Sequence, residues 1–141
     1  MTPRITVITL LVDDLARAVA FYRDGLGLPT AGIVGTQYAI GACAFFELAG
    51  GLKLAVWPRA SARRDTGLDL PASGAGSVLI AHNVARRDDV DALLEQARAA
   101  GARIVTPAGP TFWGGHGGYF QDLDGHVWEV VFNPAWQIGP G

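Results

Sequence analysis

The pattern of apolar and polar positions predicts two successive modules with the same order of elements. Residues 4–12 are β-branched and apolar, as is typical of a buried strand, and Asp13 and Asp14 then offer an N-cap. Apolar residues follow at helical spacing until Gly25 and Gly27 end the helix. Three strand-like pieces come next, separated by glycines: residues 32–38, 42–48 and 53–57. This order indicates a βαβββ module.

The second half of the chain repeats that order. An apolar strand at residues 77–84 precedes a helix that Asp88 or Asp89 caps and Gly101 ends. A short strand at residues 103–106 follows, then a break at residues 107–110, and finally two strands joined by an Asp-Gly turn. Each half therefore contains one helix and four strands, which favours duplicated modules over a doubly wound sheet.

Sequence similarity between the halves supports the duplication. TLLVDDLARAV parallels AHNVARRDDVDAL, with two extra residues in the second turn, and GLKLAVWP parallels GHVWEVVF. The predicted fold class is α+β, with two tandem βαβββ modules whose curved mixed sheets surround a shared cleft. We expect one domain over residues 1–141, with module one at 4–58, a connecting loop without periodicity at 59–76, and module two at 77–134.

One carboxylate stands out in the last strand. The period of two places Glu129 between Val127 and Val131 on one face, while the opposite face is bulky and apolar. Glu129 is the candidate catalytic residue, as a general base or as a hydrogen-bond acceptor for a ligand. A structural interpretation stays open, in which it pairs with an arginine or a backbone amide or faces solvent.

Composition excludes several classes of protein. Hydrophobic residues make up 50% of the chain and charged residues 17%, which excludes a disordered chain. The net charge of −2 gives no indication of nucleic-acid binding, and no apolar run approaches the roughly 20 residues that span a bilayer. The single Cys43 cannot form an internal disulfide, which fits a reducing cytoplasmic location.

Three segments resemble the vicinal oxygen chelate superfamily, which includes glyoxalase I, bleomycin-resistance proteins and extradiol dioxygenases. The segments are ITLLVDDLARAVAFYRDGLGL, DDVDALLEQARAAGARI and YFQDLDGHVWEV. The last is similar to the family signature aromatic-x-D-P-D-G-H-x-x-E, with Leu123 in place of proline. Trp113 and Gly114 resemble the Trp-Gly of the bleomycin-resistance branch. The resemblance implies the paired-module fold, while one fold hosts many chemistries.

The resemblance also bears on metal binding. Metal-dependent members take ligands from the first and fourth strands of each module, and the repeat alignment places these positions at Val7, Ala55, Leu79 and Glu129. A catalytic zinc or iron site needs about three protein ligands, so we expect no metal and no other cofactor. The alternative is a non-standard centre of His82, His116 and Glu129, with a β-bulge turning His82 and the glycine-rich loop carrying His116.

Aromatic and polar residues supply candidates for ligand contact. Phe112 is another aromatic residue in this part of the sequence. For Phe112 and Phe46, packing in the core explains the residue type as well as contact with a ligand does. The candidate ligand-binding residues are Trp113, Tyr119, Trp57, Asn83, His116, Phe46 and Tyr38.

The preferred functional hypothesis is a metal-independent protein that binds a small hydrophobic or aromatic molecule in the cleft between the modules. The alternative is a lyase or glyoxalase-type enzyme that uses Glu129 as base, with a non-standard metal site or none. A third hypothesis is a structural or partner-binding module with an unused cleft. Because similar proteins form homodimers, we expect a homodimer with Trp136 at the interface, and neither nucleic acid nor membrane as partner.

Overall fold

Two mixed four-stranded sheets form the framework of the protein, which a computed structural model describes for residues 1–71 and 78–138. The chain divides into two compact units, Met1–Ala72 and Ser73–Gly141. In order, the elements are β1 (Val7–Val12), α1 (Leu15–Ala20), β2 (Thr30–Val34), β3 (Cys43–Glu47), β4 (Lys53–Pro58), α2 (Arg59–Thr66), β5 (Ile80–Asn83), α3 (Arg87–Ala99), β6 (Arg103–Pro110), β7 (His116–Gln121) and β8 (Val127–Phe132).

The two sheets have the same strand order. Sheet one runs β1-β4-β3-β2, and sheet two runs β5-β8-β7-β6. In each sheet the first and last strands of the module pair in parallel, and the remaining neighbours are antiparallel. This arrangement confirms the predicted α+β class and the two βαβββ modules. That they share one cleft within a single domain stays a prediction.

Helix α1 begins where the sequence predicted. The Asp14 carboxylate accepts a hydrogen bond from the backbone N–H of Arg17 at 3.0 Å and so caps the helix. The chain continues directly into a π-helical turn, Phe21–Gly25, whose aromatic side chains are buried. Tyr22 packs against Phe46 of β3, with ring centroids 5.7 Å apart. The helix therefore covers one face of sheet one and encloses its core.

Helix α3 covers sheet two in the same way. Val90, Leu94 and Ala97 lie on one side of the helix and are buried, as the apolar spacing predicted. Within the described ranges, no helix is long and apolar enough to cross a membrane.

The prediction of a plain loop at residues 59–76 was wrong for its first part, because Arg59–Thr66 form α2. Residues 72–77 lie outside the described residues. Helix α2 is fastened by Arg59, which donates to the carbonyl of Leu11 at 3.2 Å and to that of Pro71 at 2.8 Å. Leu11 is distant from the helix in sequence, and Pro71 lies beyond its C-terminal end. Periodicity within the segment therefore could not reveal the helix.

The predicted break at residues 107–110 was also wrong, because β6 continues through Pro107 and Pro110. The strand lies at the edge of sheet two, and its pairing with β7 shifts register at two places. Proline lacks a backbone N–H, and it is tolerated in edge strands where a ladder bond is not required.

The Asp-Gly hairpin between β7 and β8 is organised by Asp122, whose side chain is 1% exposed. One carboxylate oxygen accepts from the backbone N–H groups of Asp124 at 3.0 Å and His126 at 2.8 Å. The other accepts from Nδ1 of His126 at 2.7 Å. Asp122, the first acid of the segment YFQDLDGHVWEV, thus stabilises the turn that precedes β8.

We expect Asp122→Ala to lower the free energy of unfolding by about 2–3 kcal/mol, because it leaves buried donors without an acceptor. Asp122→Asn keeps one oxygen for the two backbone donors, so its loss is expected to be about half as large. Urea denaturation monitored by circular dichroism measures both. The exposed Asp65→Ala serves as control, with a change within about 0.5 kcal/mol. Equal losses for the Ala and Asn variants would contradict this account of the hairpin.

Candidate functional site

Each sheet has one face covered by its helix and one opposite face, which we call the open face. In β1, β3 and β4 of sheet one, buried helix-facing residues alternate with open-face residues. Val7 and Phe45 on the open face are each 39% exposed. Large apolar side chains thus lie on the side of the sheet that its own helix does not cover.

An apolar pocket of about 260 Å³ lies on the open face of sheet one. Its floor is a row of residues that pair across three strands, in which Thr9 and Phe45 flank Ala55. Burial raises the pKa of the Cys43 thiol, which therefore stays neutral. The lining residues are Thr9, Ile40, Gly41, Cys43, Phe45, Ala55 and Trp57.

A wider groove of about 720 Å³ adjoins this pocket and shares Phe45 with it. It is lined mainly by small and apolar residues of β1, β2 and β3, including Val7 and Val34. Lys53 and Glu47 lie in its lining and form an ion pair with each other. The charges of this groove are therefore already paired within the protein.

The open face of sheet two carries polar groups at the corresponding positions. Ala81 and Tyr119 flank Glu129 across the strands, just as Thr9 and Phe45 flank Ala55 in sheet one. The Tyr119 hydroxyl donates to Oε2 of Glu129 at 3.4 Å, a long bond. Desolvation of the phenolate, followed by the charge of Glu129, raises the pKa of Tyr119. The two open faces thus share a backbone plan and differ in chemistry.

Of the four positions at which the family resemblance implies metal ligands, one holds a donor side chain. Val7 and Leu79 are exposed aliphatic residues and Ala55 is a buried one, so none of the three has a side-chain atom that could bind a metal ion. Glu129 is the one of these four residues that has such an atom. Among residues 1–71 and 78–138, no group of three His, Cys, Asp or Glu side chains is placed to hold a metal ion. This set of side chains does not fit a catalytic transition metal.

The alternative centre of His82, His116 and Glu129 is not assembled either. His82 pairs with Val130, so strand alternation directs it to the side opposite Glu129. His116 lies in β7, not in the preceding loop as predicted, and its Nε2 donates to Asp91 of α3 at 3.2 Å. Both histidines are thus on the helix side of sheet two, while Glu129 is on the open face.

The aromatic candidates fall into different environments. Trp57 lines the apolar pocket and donates its indole N–H to the carbonyl of Ile40 at 2.9 Å. Phe46 is fully buried against Tyr22, which argues against the predicted ligand contact, and Phe45 instead lies on the open face. Tyr38 is 67% exposed in a turn and lines neither pocket.

Two further candidates and Tyr119 lie in sheet two or the loop before β7. Trp113 is 43% exposed, and its ring lies so close to Gly115 that a side chain there would collide with it. Asn83 is half-buried at the end of β5, on the same face as Glu129. The structure therefore brings Tyr119 and Asn83 to the face of Glu129 and leaves Trp113 in its loop.

The sequence reasoning missed Thr9, Cys43 and Phe45 as pocket residues. Strand alternation could have identified Thr9, because it lies two residues after Val7 on the same face of β1. In the Phe45-Phe46 pair, alternation alone does not tell which ring faces the helix, because a shift of one residue exchanges the faces.

We expect Glu129→Gln to lower the pKa of Tyr119 toward its ordinary value, because the substitution removes a neighbouring negative charge. Ultraviolet absorbance at alkaline pH monitors the phenolate, and subtracting the Tyr119→Phe titration isolates it from the chain's two other tyrosines. Because the folded-state pKa is raised, the contribution of this phenol to stability is present below the unfolded pKa. It is lost as pH rises through the folded value. An unchanged titration would contradict the coupling of the two groups.

Comparisons with known proteins agree with this architecture. The model of the Glyoxalase/Bleomycin resistance protein/Dioxygenase superfamily matches residues 4–130. A crystal structure of a glyoxalase-related enzyme from Fulvimarina pelagi is 34% identical, with a TM-score of 0.84, over 97% of this chain and 93% of that chain. The comparison with curated proteins gave no match.

Two more distant structures show the same fold. A lactoylglutathione lyase from Agrobacterium tumefaciens is 22% identical over 99% of this chain and 100% of that chain, with a TM-score of 0.69. A genomically encoded fosfomycin resistance protein from Listeria monocytogenes is 24% identical over 96% and 97%, also with a TM-score of 0.69. From the family match and the similarity to the Fulvimarina pelagi enzyme, the chain belongs to the Glyoxalase/Bleomycin resistance protein/Dioxygenase superfamily.

Proposed function

We propose that this protein binds a small hydrophobic or aromatic molecule without the help of a metal ion. The observation that carries the proposal is the apolar pocket on the open face of sheet one. Ligand pockets are typically apolar concavities with a few polar groups, and here the Thr9 hydroxyl and the neutral Cys43 thiol supply the polar atoms. A homodimeric state and a cytoplasmic location are part of the same proposal.

The donor set supports the metal-independent part of the proposal. Val7, Ala55 and Leu79 offer no lone pair to a cation, and a single carboxylate is a poor site for zinc, nickel or iron. In place of ligands, Val7 and Ala55 contribute apolar surface to the groove and the pocket. The positions that hold a metal in other members thus supply hydrophobic contact here.

A second candidate function is an enzyme in which Glu129 acts as a general base. The observation that favours it is the hydrogen bond from Tyr119, which pairs a proton donor with a carboxylate on one open face. In such an enzyme Glu129 would take a proton from the substrate, and the Tyr119 hydroxyl would orient the carboxylate. Binding is the preferred proposal because it needs only the pocket.

We expect N-phenyl-1-naphthylamine, a neutral fluorescent probe, to bind saturably with a Kd of about 10–100 µM. Thr9→Phe fills the pocket and Phe45→Ala removes one wall, so each variant is expected to weaken binding about 5–10-fold. Fluorescence titration measures the affinity.

The matched control for the pocket variants is Ala16→Phe, which adds an aromatic ring at an exposed position of α1. We expect it to leave the Kd unchanged. Denaturation midpoints verify that all the variants are folded. If Thr9→Phe and Phe45→Ala bind the probe as the wild type does, the pocket is not the binding site.

Protein purified without a histidine tag is expected to contain far less than one equivalent of zinc, nickel, manganese or iron. Treatment with EDTA is expected to leave the Kd for the probe unchanged, because no metal contributes to the pocket. Elemental analysis and repeated titration check both points. Stoichiometric metal that disappears in Glu129→Gln would overturn metal independence and support the enzymatic alternative.

A further inference from the structure

The apolar pocket on the open face of sheet one offers no charge to a ligand. Among the described residues that line it, none has a charged side chain. Cys43 is the titratable residue in this lining, and burial raises the pKa of its thiol, so the thiol stays neutral. A ligand ion that enters the pocket therefore loses hydration without meeting an opposite charge in the lining.

The charged groups at both ends of β4 are already engaged within the first unit. At one end Lys53 forms an ion pair with Glu47 of the neighbouring strand. Directly after the other end, Arg59 donates to the carbonyl of Leu11 at 3.2 Å, and its Nε lies 3.5 Å from Oδ1 of Asp13. A charged ligand group of either sign would have to disrupt one of these pairs to gain a partner from them.

The hydrogen-bonding side chains of the pocket differ in whether the protein already uses them. The indole N–H of Trp57 donates to the carbonyl of Ile40 at 2.9 Å. A cysteine thiol such as that of Cys43 is a weak donor and a weak acceptor. The Thr9 hydroxyl forms no hydrogen bond with any group in residues 1–71 and 78–138. Thr9 thus carries the strongest hydrogen-bonding group that the lining side chains leave for a ligand.

The register of the strands places this hydroxyl opposite an aromatic ring. Thr9 and Phe45 are the neighbours of Ala55 on its two sides, in β1 and β3. Adjacent strands lie about 4.8 Å apart, so the two residues are separated by about 10 Å with only a methyl group between them. A flat ring fits above Ala55, and the volume of about 260 Å³ suits a ligand of one or two rings.

We infer that the pocket selects an uncharged aromatic molecule with a hydroxyl or carbonyl group, and that Thr9 is the residue that recognises this group. The inference rests on the proposed function, because it names the class of ligand for the same pocket. A threonine hydroxyl can donate to a ligand carbonyl, and it can either donate to or accept from a ligand hydroxyl. Phe45 and Trp57 supply the aromatic surface for the ring.

Equilibrium dialysis at pH 7 tests the inference with a set of naphthalene compounds of similar size. 2-Naphthol is neutral with a hydroxyl group, 2-methylnaphthalene is neutral without one, 2-naphthylmethylamine is cationic and 2-naphthoate is anionic. We expect the wild type to bind 2-naphthol at least about tenfold more tightly than either charged compound, because no lining residue compensates the lost hydration of an ion. Absorbance on both sides of the membrane measures the bound fraction.

A variant connects the recognition of the hydroxyl group to Thr9. Thr9→Val keeps the shape of the side chain and removes its hydroxyl, so we expect it to weaken binding of 2-naphthol about 3–10-fold. Its affinity for 2-methylnaphthalene is expected to stay within about twofold, since no hydrogen bond is lost. The matched control is Thr106→Val, at an exposed position of β6 that lines neither the pocket nor the groove, and it is expected to leave both affinities unchanged. Denaturation midpoints verify folding, and the wild-type comparison of neutral with charged compounds needs no variant.

The outcomes separate this inference from the proposed function. If 2-naphthol binds but a charged compound binds the wild type as tightly, the selection of an uncharged ligand is overturned and the binding function stands. If Thr9→Val weakens both neutral compounds equally, or neither of them, the role of Thr9 is overturned in the same way. If neither the neutral compounds nor N-phenyl-1-naphthylamine bind, the proposed function itself fails.

Discussion

The parallel pairing of the first and last strands of each module is the constraint on which the rest of the structure depends. In sheet one this pairing places Thr9 beside Ala55, and in sheet two it places Ala81 beside Glu129. Because side chains alternate along a strand, the register decides at once which residues face the helix and which form the open face. A slip of one residue would bury Glu129 beneath α3 and expose the core, so burial strongly enforces the register.

The same constraint explains how two copies of one module support different chemistry. The backbone places Ala55 and Glu129 at equivalent positions, and likewise Phe45 and Tyr119. In module one these positions form the floor of an apolar pocket, and in module two they form a phenol–carboxylate pair. The superfamily fold determines where a functional side chain stands, while the residue at that position decides what it can do.

Local patterns predicted those parts of the fold that depend on neighbouring residues. The Asp14 cap and the buried side of α3 require only residues within one or two helical turns, so helical spacing identified them. Helix α2 was missed because Arg59 anchors it to Leu11, across a long separation in sequence. Strand β6 was shortened because proline opposes most strands, and only its place at the edge of the sheet makes Pro107 acceptable.

The sequence by itself determined the duplicated order of elements. It also determined that Val7, Ala55 and Leu79 have no side-chain atom that could bind a metal ion, because this follows from residue type alone. Only the tertiary structure decided that no β-bulge turns His82 toward Glu129 and that His116 lies on the side of sheet two opposite Glu129. It also decided that Phe45 lines the pocket while Phe46 fills the core. The physical reason is that the face of a strand residue is set by pairing with strands distant in sequence. A local sequence pattern shows that residues alternate between the two faces of a strand, but it does not show which of the two sets faces the helix.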